Sequence, residues 1–111
     1  MTLPLPGQPV RGSASGRPLM AALDLLGRRG ALRVLWELRA EPLNFRALQA
    51  AADTNPAQLN TRLKELRHAQ LVLHEAGGYR LSALGRELLG VMEPLFQWSE
   101  RWAELTGQEP G

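Results

Sequence analysis

The amino-acid sequence predicts a mainly helical fold with one small β-hairpin. Its apolar residues are largely Leu and Ala, and aromatic residues make up only 5% of the 111 residues, a composition that favours helices over sheet. Leucines recur at helical spacing in several segments. Near Gly77 and Gly78 that spacing gives way to the alternation typical of two short strands joined by a turn. The length indicates a single domain.

Two helices are predicted at the start of this domain. The first begins at Pro18, because proline is favoured at the first position of a helix, and it ends at Gly27. Its apolar residues, at i, i+4 and i+7, are Leu19, Leu23 and Leu26. The second helix runs from about Ala31 to Arg39 and stops before Pro42. Its predicted apolar stripe consists of Leu32, Leu35 and Leu38, with Trp36 beside it.

A short helix, a tight turn and a longer amphipathic helix follow. Asn44 is a good N-cap for a helix from Phe45 to Ala52. Asn55 followed by Pro56 is a typical start for the next helix, which should end near Ala69. The inner face of that helix, at i, i+4 and i+7, is Leu59, Leu63 and Leu66. Two helices in this order, joined by a tight turn, are the helix-turn-helix pattern.

The hairpin and the last helix complete the predicted domain. Two short strands should form a wing over residues 72–81, with His74 across from Arg80. Ser82 can cap the last helix, which should run to about Leu105, and Pro94 should kink or divide it. We therefore expect a winged helix-turn-helix domain at residues 18–106, between a flexible tail at 1–17 and a flexible C-terminus at 107–111.

The helix that opens at Pro56 has the properties that DNA recognition requires. Its leucines would dock it on its own domain, and its polar side chains, which we expect to be solvated, would fit the major groove. The backbone N–H groups at its N-terminus would favour phosphate. With an arginine from the wing, the predicted DNA-binding residues are Asn55, Gln58, Asn60, Thr61, Arg62, Lys64 and Arg80. The alternative for this segment is an ordinary amphipathic surface helix.

The charges are unevenly distributed along the chain. Residues 28–80 contain nine basic and five acidic residues, whereas residues 81–111 contain two basic and five acidic ones. A cationic middle and an anionic end indicate two surfaces with different partners. The net charge is only +2, so a winged helix that binds proteins instead of DNA stays open as an alternative.

The last helix carries an apolar seam that predicts a homodimer. Spaced alternately by four and three residues, the seam consists of Leu84, Leu88, Val91, Leu95, Trp98, Trp102 and Leu105. A second stripe beside it consists of Leu89, Met92 and Phe96. One small domain cannot easily cover both stripes, and a large exposed apolar patch usually marks an interface. Together with the first helix, the predicted dimer contacts are Leu19, Leu23, Leu95, Trp98, Trp102 and Leu105.

The ordered set of these segments resembles the HxlR-type winged-helix regulators, relatives of the MarR group. The matching stretches are PLMAALDLLG (18–27), LRVLWEL (32–38), LNFRAL (43–48), LNTRLKEL (59–66), LV (71–72), YRLSALGREL (79–88) and Trp98. The resemblance implies a bacterial, dimeric DNA-binding regulator. Its recognition helix would begin at Pro56, its wing would be residues 72–81, and its dimer contacts would come from the first and last helices. Many members sense oxidants or electrophiles through a cysteine near the N-terminus.

Several classes of function are excluded or disfavoured. The chain has no cysteine, so disulfides, thiolate metal sites and the cysteine-based sensing of its relatives do not apply. No catalytic constellation or phosphate-binding loop is visible, so we expect no enzyme, no cofactor and no metal site. No signal peptide or membrane-spanning segment is visible, so we expect a cytoplasmic protein. The expected partners are double-stranded DNA and a second copy of the chain. A cleft between the first and last helices could hold a small apolar effector, but no residue in the sequence marks one.

Overall fold

The computed structural model describes residues 17–107. They form helices and one two-stranded antiparallel sheet in the order α1 (Pro18–Leu26), α2 (Ala31–Glu37), α3 (Phe45–Ala51), α4 (Pro56–His68), β1 (Val72–Glu75), β2 (Gly78–Leu81), α5 (Ala83–Val91) and α6 (Glu93–Leu105). The predicted fold class is thereby confirmed. Apart from Arg17 and Gly107, the predicted tails at 1–17 and 107–111 lie outside the described residues.

Side-chain caps define where three of the helices begin. The Asn44 side chain accepts a hydrogen bond from the Ala47 N–H at 2.8 Å, and the Asn55 side chain accepts one from the Gln58 N–H at 2.8 Å. The Ser82 hydroxyl accepts from the Gly85 N–H at 3.0 Å. Each cap satisfies a backbone donor that has no partner within the helix, which typically stabilises the helix by about 1 kcal/mol. All three predicted caps are confirmed.

The core is built around the inner face of α4. Its three leucines are almost completely buried and belong to the same apolar cluster as leucines of α2 and α3: Leu35, Leu38, Leu48, Leu59, Leu63 and Leu66. The predicted stripe of α2 was wrong at Leu32, which is 38% exposed, because Val34 takes the buried position. Burial at Ala31, Val34, Leu35 and Leu38 turns Leu32 and Trp36 towards the groove beside Phe96.

The register of the hairpin differs by one residue from the prediction. Glu75 pairs with Gly78 around a two-residue turn, so His74 faces Tyr79 and Leu73 faces Arg80. The prediction of His74 opposite Arg80 was wrong because it assigned Gly78 to the turn, whereas Gly78 is the first residue of β2.

A segment before α3 also holds the wing in place. Leu43 and Tyr79 exchange two backbone hydrogen bonds, of 3.0 and 2.8 Å, as an isolated antiparallel bridge. The backbone of Gly78, at φ +129°, passes so close to this bridge that an added Cβ would lie 2.6 Å from the Leu43 carbonyl oxygen. Only glycine combines that φ with that approach. The bridge makes the hairpin continuous with the start of the helix-turn-helix.

The last predicted helix is divided, as expected from Pro94. α5 ends at Val91 and α6 begins at Glu93, with Pro94 in its first turn, where a missing N–H costs nothing. Met92 is buried at the junction, and Phe96 packs edge-on against Trp36 with ring centroids 5.3 Å apart. The inner stripe of the two helices therefore packs on the domain. The α6 part of the seam points away from it, whereas Leu88 of the seam packs against the core.

We predict that Gly78→Ala destabilises the protein, because alanine can neither adopt the observed φ without strain nor avoid the Leu43 carbonyl. The expected loss in the free energy of unfolding is about 1–3 kcal/mol, measured by urea denaturation. Gly77→Ala is the matched control, since an added Cβ there meets nothing within 4 Å. Equal stability of the two variants would contradict this account of the wing.

Candidate nucleic-acid interface

The outer face of α4 presents polar side chains in the order expected of a recognition helix. Asn60, Thr61 and Lys64 are exposed, and Asn55 is exposed at the N-terminus of the helix. The Thr61 hydroxyl donates to the Ala57 carbonyl oxygen at 3.1 Å, so its proton is used within the helix and its oxygen remains an acceptor. These four residues lie on a helix that its own domain holds from the opposite side.

Gln58 is partly covered by the protein, contrary to the expectation that it is solvated. It is half-buried, and its side-chain amide lies over Gly30 at the start of α2. A Cβ added to Gly30 would come within 3.0 Å of Gln58 Nε2. The absence of a side chain at Gly30 thus makes room for Gln58 in the first turn of the recognition helix.

Arg62 belongs to an ion-pair cluster beneath α4. Its guanidinium contacts Glu65 Oε1 at 2.5 Å, the other oxygen of Glu65 accepts from Arg28, and Arg28 also pairs with Asp24 at 3.4 Å. The side chains are 18% exposed at Arg62, 16% at Glu65, 6% at Arg28 and 9% at Asp24. The expectation of a solvated Arg62 was wrong. The i, i+3 spacing of Arg62 and Glu65 is the signal that indicates this pair.

Arg80 of the wing is also paired in the structure. Its Nε and one Nη donate to the two carboxylate oxygens of Glu75, at 3.0 and 2.7 Å. This hydrogen bonding lowers the pKa of the Glu75 carboxyl from its usual value and raises the pKa of the Arg80 guanidinium. Both groups are therefore charged at neutral pH, and DNA would have to compete with Glu75 for Arg80.

Sequence reasoning missed a cleft between the end of α4 and strand β1. Basic and polar side chains dominate its lining, which is Lys64, Arg67, His68, Val72, Leu73, His74 and Glu75. Asn60, Lys64, Arg67 and His68 follow one another along one face of the helix, at i, i+4, i+7 and i+8, so the sequence contained a signal for the helical side of this cleft. The contribution of β1 depends on how the hairpin folds back against α4.

Every predicted dimer contact is an apolar side chain that the structure leaves more than half exposed. Leu19 and Leu23 of α1 are 67% and 54% exposed, and the α6 residues range from 51% at Trp102 to 76% at Leu105. The rings of Trp98 and Trp102 stack with centroids 5.8 Å apart. Between α1 and α5 lies an apolar pocket of about 310 Å³, bordered by residues 84 and 91 of the same exposed seam.

The sequence pattern of the HxlR-like helix-turn-helix family matches residues 25–106. The chain belongs to the HxlR-like helix-turn-helix family. The match runs from the end of α1 to the end of α6. It therefore includes the two helices of the DNA-binding motif, the hairpin and the exposed seam, and the resemblance seen in the sequence is confirmed.

One relative and one solved structure are also similar to this HxlR-like chain. An uncharacterised HTH-type transcriptional regulator of Methanocaldococcus jannaschii is 26% identical over 90 residues, which cover 77% of this chain and 85% of the relative. The crystal structure of quinone-bound YodB from B. subtilis has a TM-score of 0.71 at 25% identity, covering 75% of this chain and 96% of YodB. The family match and the M. jannaschii relative together assign this chain to a family of helix-turn-helix transcriptional regulators.

Metal-ligand clusters and membrane-spanning helices are both absent from the described part of this HxlR-like chain. Within residues 17–107, no three or more His, Asp and Glu side chains come together in a group that could hold a metal ion. In the same part of the chain, every helix is too short or too polar to cross a membrane.

We predict that Arg62→Ala lowers the free energy of unfolding by about 1 kcal/mol, because it removes a partly buried partner of Glu65. Lys64→Ala, two residues along the same helix, should change it by less than about 0.5 kcal/mol, since Lys64 is exposed. Urea denaturation of both variants measures the difference. Indistinguishable free energies would mean that the Arg62–Glu65 pair contributes nothing to stability.

Proposed function

We propose that this protein is a sequence-specific regulator of transcription that binds double-stranded DNA as a homodimer. Helix α4 lies in the major groove and the wing, residues 72–81, lies near the DNA backbone. The observation that carries the proposal is the division of α4 into two faces. Leu59, Leu63 and Leu66 are at most 2% exposed, while the opposite side presents amide, hydroxyl and ammonium groups to solvent.

The residues of α4 have distinct roles in this proposal. Asn60 and Gln58 carry amides, which can pair in a bidentate manner with adenine in the major groove. Thr61 accepts a hydrogen bond or contacts a thymine methyl group. Lys64 supplies a positive charge that has no acidic partner within residues 17–107, and Asn55 lies where the helix N-terminus favours a phosphate.

Arg62 and Arg80 each have to leave a carboxylate partner before they can contact a DNA phosphate or base. When Arg62 leaves Glu65, the Glu65 carboxylate keeps Arg28 as its counter-ion, so the exchange leaves no unpaired buried charge. When Arg80 leaves Glu75, the carboxylate is released at an exposed position of the wing. DNA therefore has to displace a carboxylate to bind either arginine, whereas Lys64 can bind DNA without such a displacement.

The proposed homodimer is supported by the apolar seam, which residues 17–107 leave largely exposed. Trp98, Trp102 and Leu105 are all more than half exposed, and clusters of exposed tryptophan are typical of interface centres. A dimer makes twice as many phosphate contacts as a monomer. Its two recognition helices can also enter successive major grooves, which lie about 34–36 Å apart. The apolar pocket between α1 and α5 borders this seam and has a size suited to a small apolar effector.

We predict that the protein binds random duplex DNA and that its affinity falls steeply with salt. If about six phosphates are neutralised per dimer, the affinity should fall roughly a thousandfold between 50 and 200 mM salt. Fluorescence anisotropy with a labelled duplex measures this dependence. Absence of binding at 50 mM salt would overturn the DNA-binding proposal and favour a winged helix that binds another protein.

We predict that Trp98→Glu converts the dimer to a monomer or an aggregate, because it buries a carboxylate in the seam of each protomer. Light scattering across a range of protein concentrations measures the molecular mass. Gln97→Glu adds the same charge at the neighbouring exposed position and should leave the dimer intact. A native dimer in the Trp98→Glu variant would place the interface elsewhere.

A further inference from the structure

We propose that the cleft between α4 and β1 is a binding site for a phosphate of the DNA backbone, held chiefly by Lys64 and Arg67. The cleft has a volume of about 500 Å³ and opens between the recognition helix and the wing. The proposal rests on the DNA-binding function proposed above. It goes beyond that function because Arg67, His68 and His74 are outside the DNA-binding set that the sequence predicts.

Within residues 17–107, the two cations of this cleft differ from the other arginines of the interface because they are not paired with a carboxylate. Lys64 and Arg67 are exposed, and neither forms an ion pair within residues 17–107. Arg62 and Arg80, in contrast, are held by Glu65 and Glu75. An anion that enters the cleft therefore meets two cations without having to displace a carboxylate, which favours this position over the two paired arginines.

The acidic residue in the lining does not cancel this charge. Glu75 borders the cleft, but both of its carboxylate oxygens accept hydrogen bonds from Arg80. The pair is neutral as a unit. The charge that an anion meets in the cleft is thus set by Lys64 and Arg67.

A histidine on the wing side supplies a further donor. The His74 ring stacks on Tyr79, with centroids 4.1 Å apart and planes within 5° of each other, so the imidazole has a defined orientation at the edge of the cleft. An imidazole retains at least one N–H donor in either protonation state. Donors therefore come from both sides of the cleft, from α4 and from β1.

The position of the cleft suits a backbone phosphate better than a base edge. Helix α4 would occupy the major groove with its exposed polar face, and the wing would lie beside it. The row of phosphates that borders the groove would then pass between helix and wing, where Arg and Lys typically contact phosphate oxygens and set the register of a protein on DNA.

The ordinary role of Arg67 and His68 would be to stabilise the end of α4. Both lie in its last turn, where positive charge interacts favourably with the helix dipole. That role makes a different prediction, since it affects stability and leaves the salt dependence of DNA binding unchanged. A measurement of both properties on one variant separates the two roles.

The test compares Arg67→Gln with Arg101→Gln, an exposed arginine of α6, in the full chain. Anisotropy titrations with two unrelated random duplexes are run from 50 to 200 mM salt. Arg67→Gln should reduce the slope of log affinity against log salt by about 0.9 for each phosphate that is no longer neutralised. Affinity should fall roughly five- to tenfold per phosphate near 0.1 M salt, and equally on both duplexes. Arg101→Gln should change neither quantity.

The outcomes separate this proposal from the one on which it rests. No DNA binding by the unsubstituted protein overturns both. Normal binding with an unchanged slope in Arg67→Gln overturns the phosphate site alone, and a lowered melting temperature in that case assigns Arg67 to the helix end.

Discussion

Burial of one face of α4 governs where the functional side chains of this protein lie. Leu59, Leu63 and Leu66 are at most 2% exposed, and burial of each leucine side chain contributes roughly 1.5–3 kcal/mol. These contacts set the rotation of the helix about its own axis. Once that rotation is set, the positions between the leucines must face outwards. The recognition surface is therefore a consequence of core packing.

The same packing divides the cations of α4 into two groups. Arg62 is turned towards Glu65 and the buried Arg28, while Lys64 and Arg67 stay in solvent without an acidic partner in the described part of the chain. The paired group ties α4 to the end of α1 and stabilises the free protein. In the function that we propose, the unpaired group supplies the electrostatic attraction for DNA. One helix thus combines structural and binding charges that are only a few residues apart.

The break between α5 and α6 separates an apolar stripe that packs on the domain from an apolar seam that is exposed. Proline in the first turn of α6 and buried Met92 at the junction let the inner stripe follow the surface of the domain. Phe96 completes that contact against Trp36. Residues 17–107 leave the α6 part of the outer seam, with stacked Trp98 and Trp102, uncovered. A second copy of the chain is the occupant that we propose for it.

Residue spacing was enough to predict the order of the elements, the three side-chain caps, the inner face of α4 and the exposed seam, because these depend on residues close together in the chain. Only the folded domain reveals the ion pair of Arg28 with Glu65, the covering of Gln58 at Gly30 and the bridge from Leu43 to Tyr79. Each of these depends on segments far apart in the chain, and spacing along one helix or strand carries no information about which distant segment it meets. The one-residue error in the hairpin has the same origin, since register is set by the turn and by the bridge to Leu43 together.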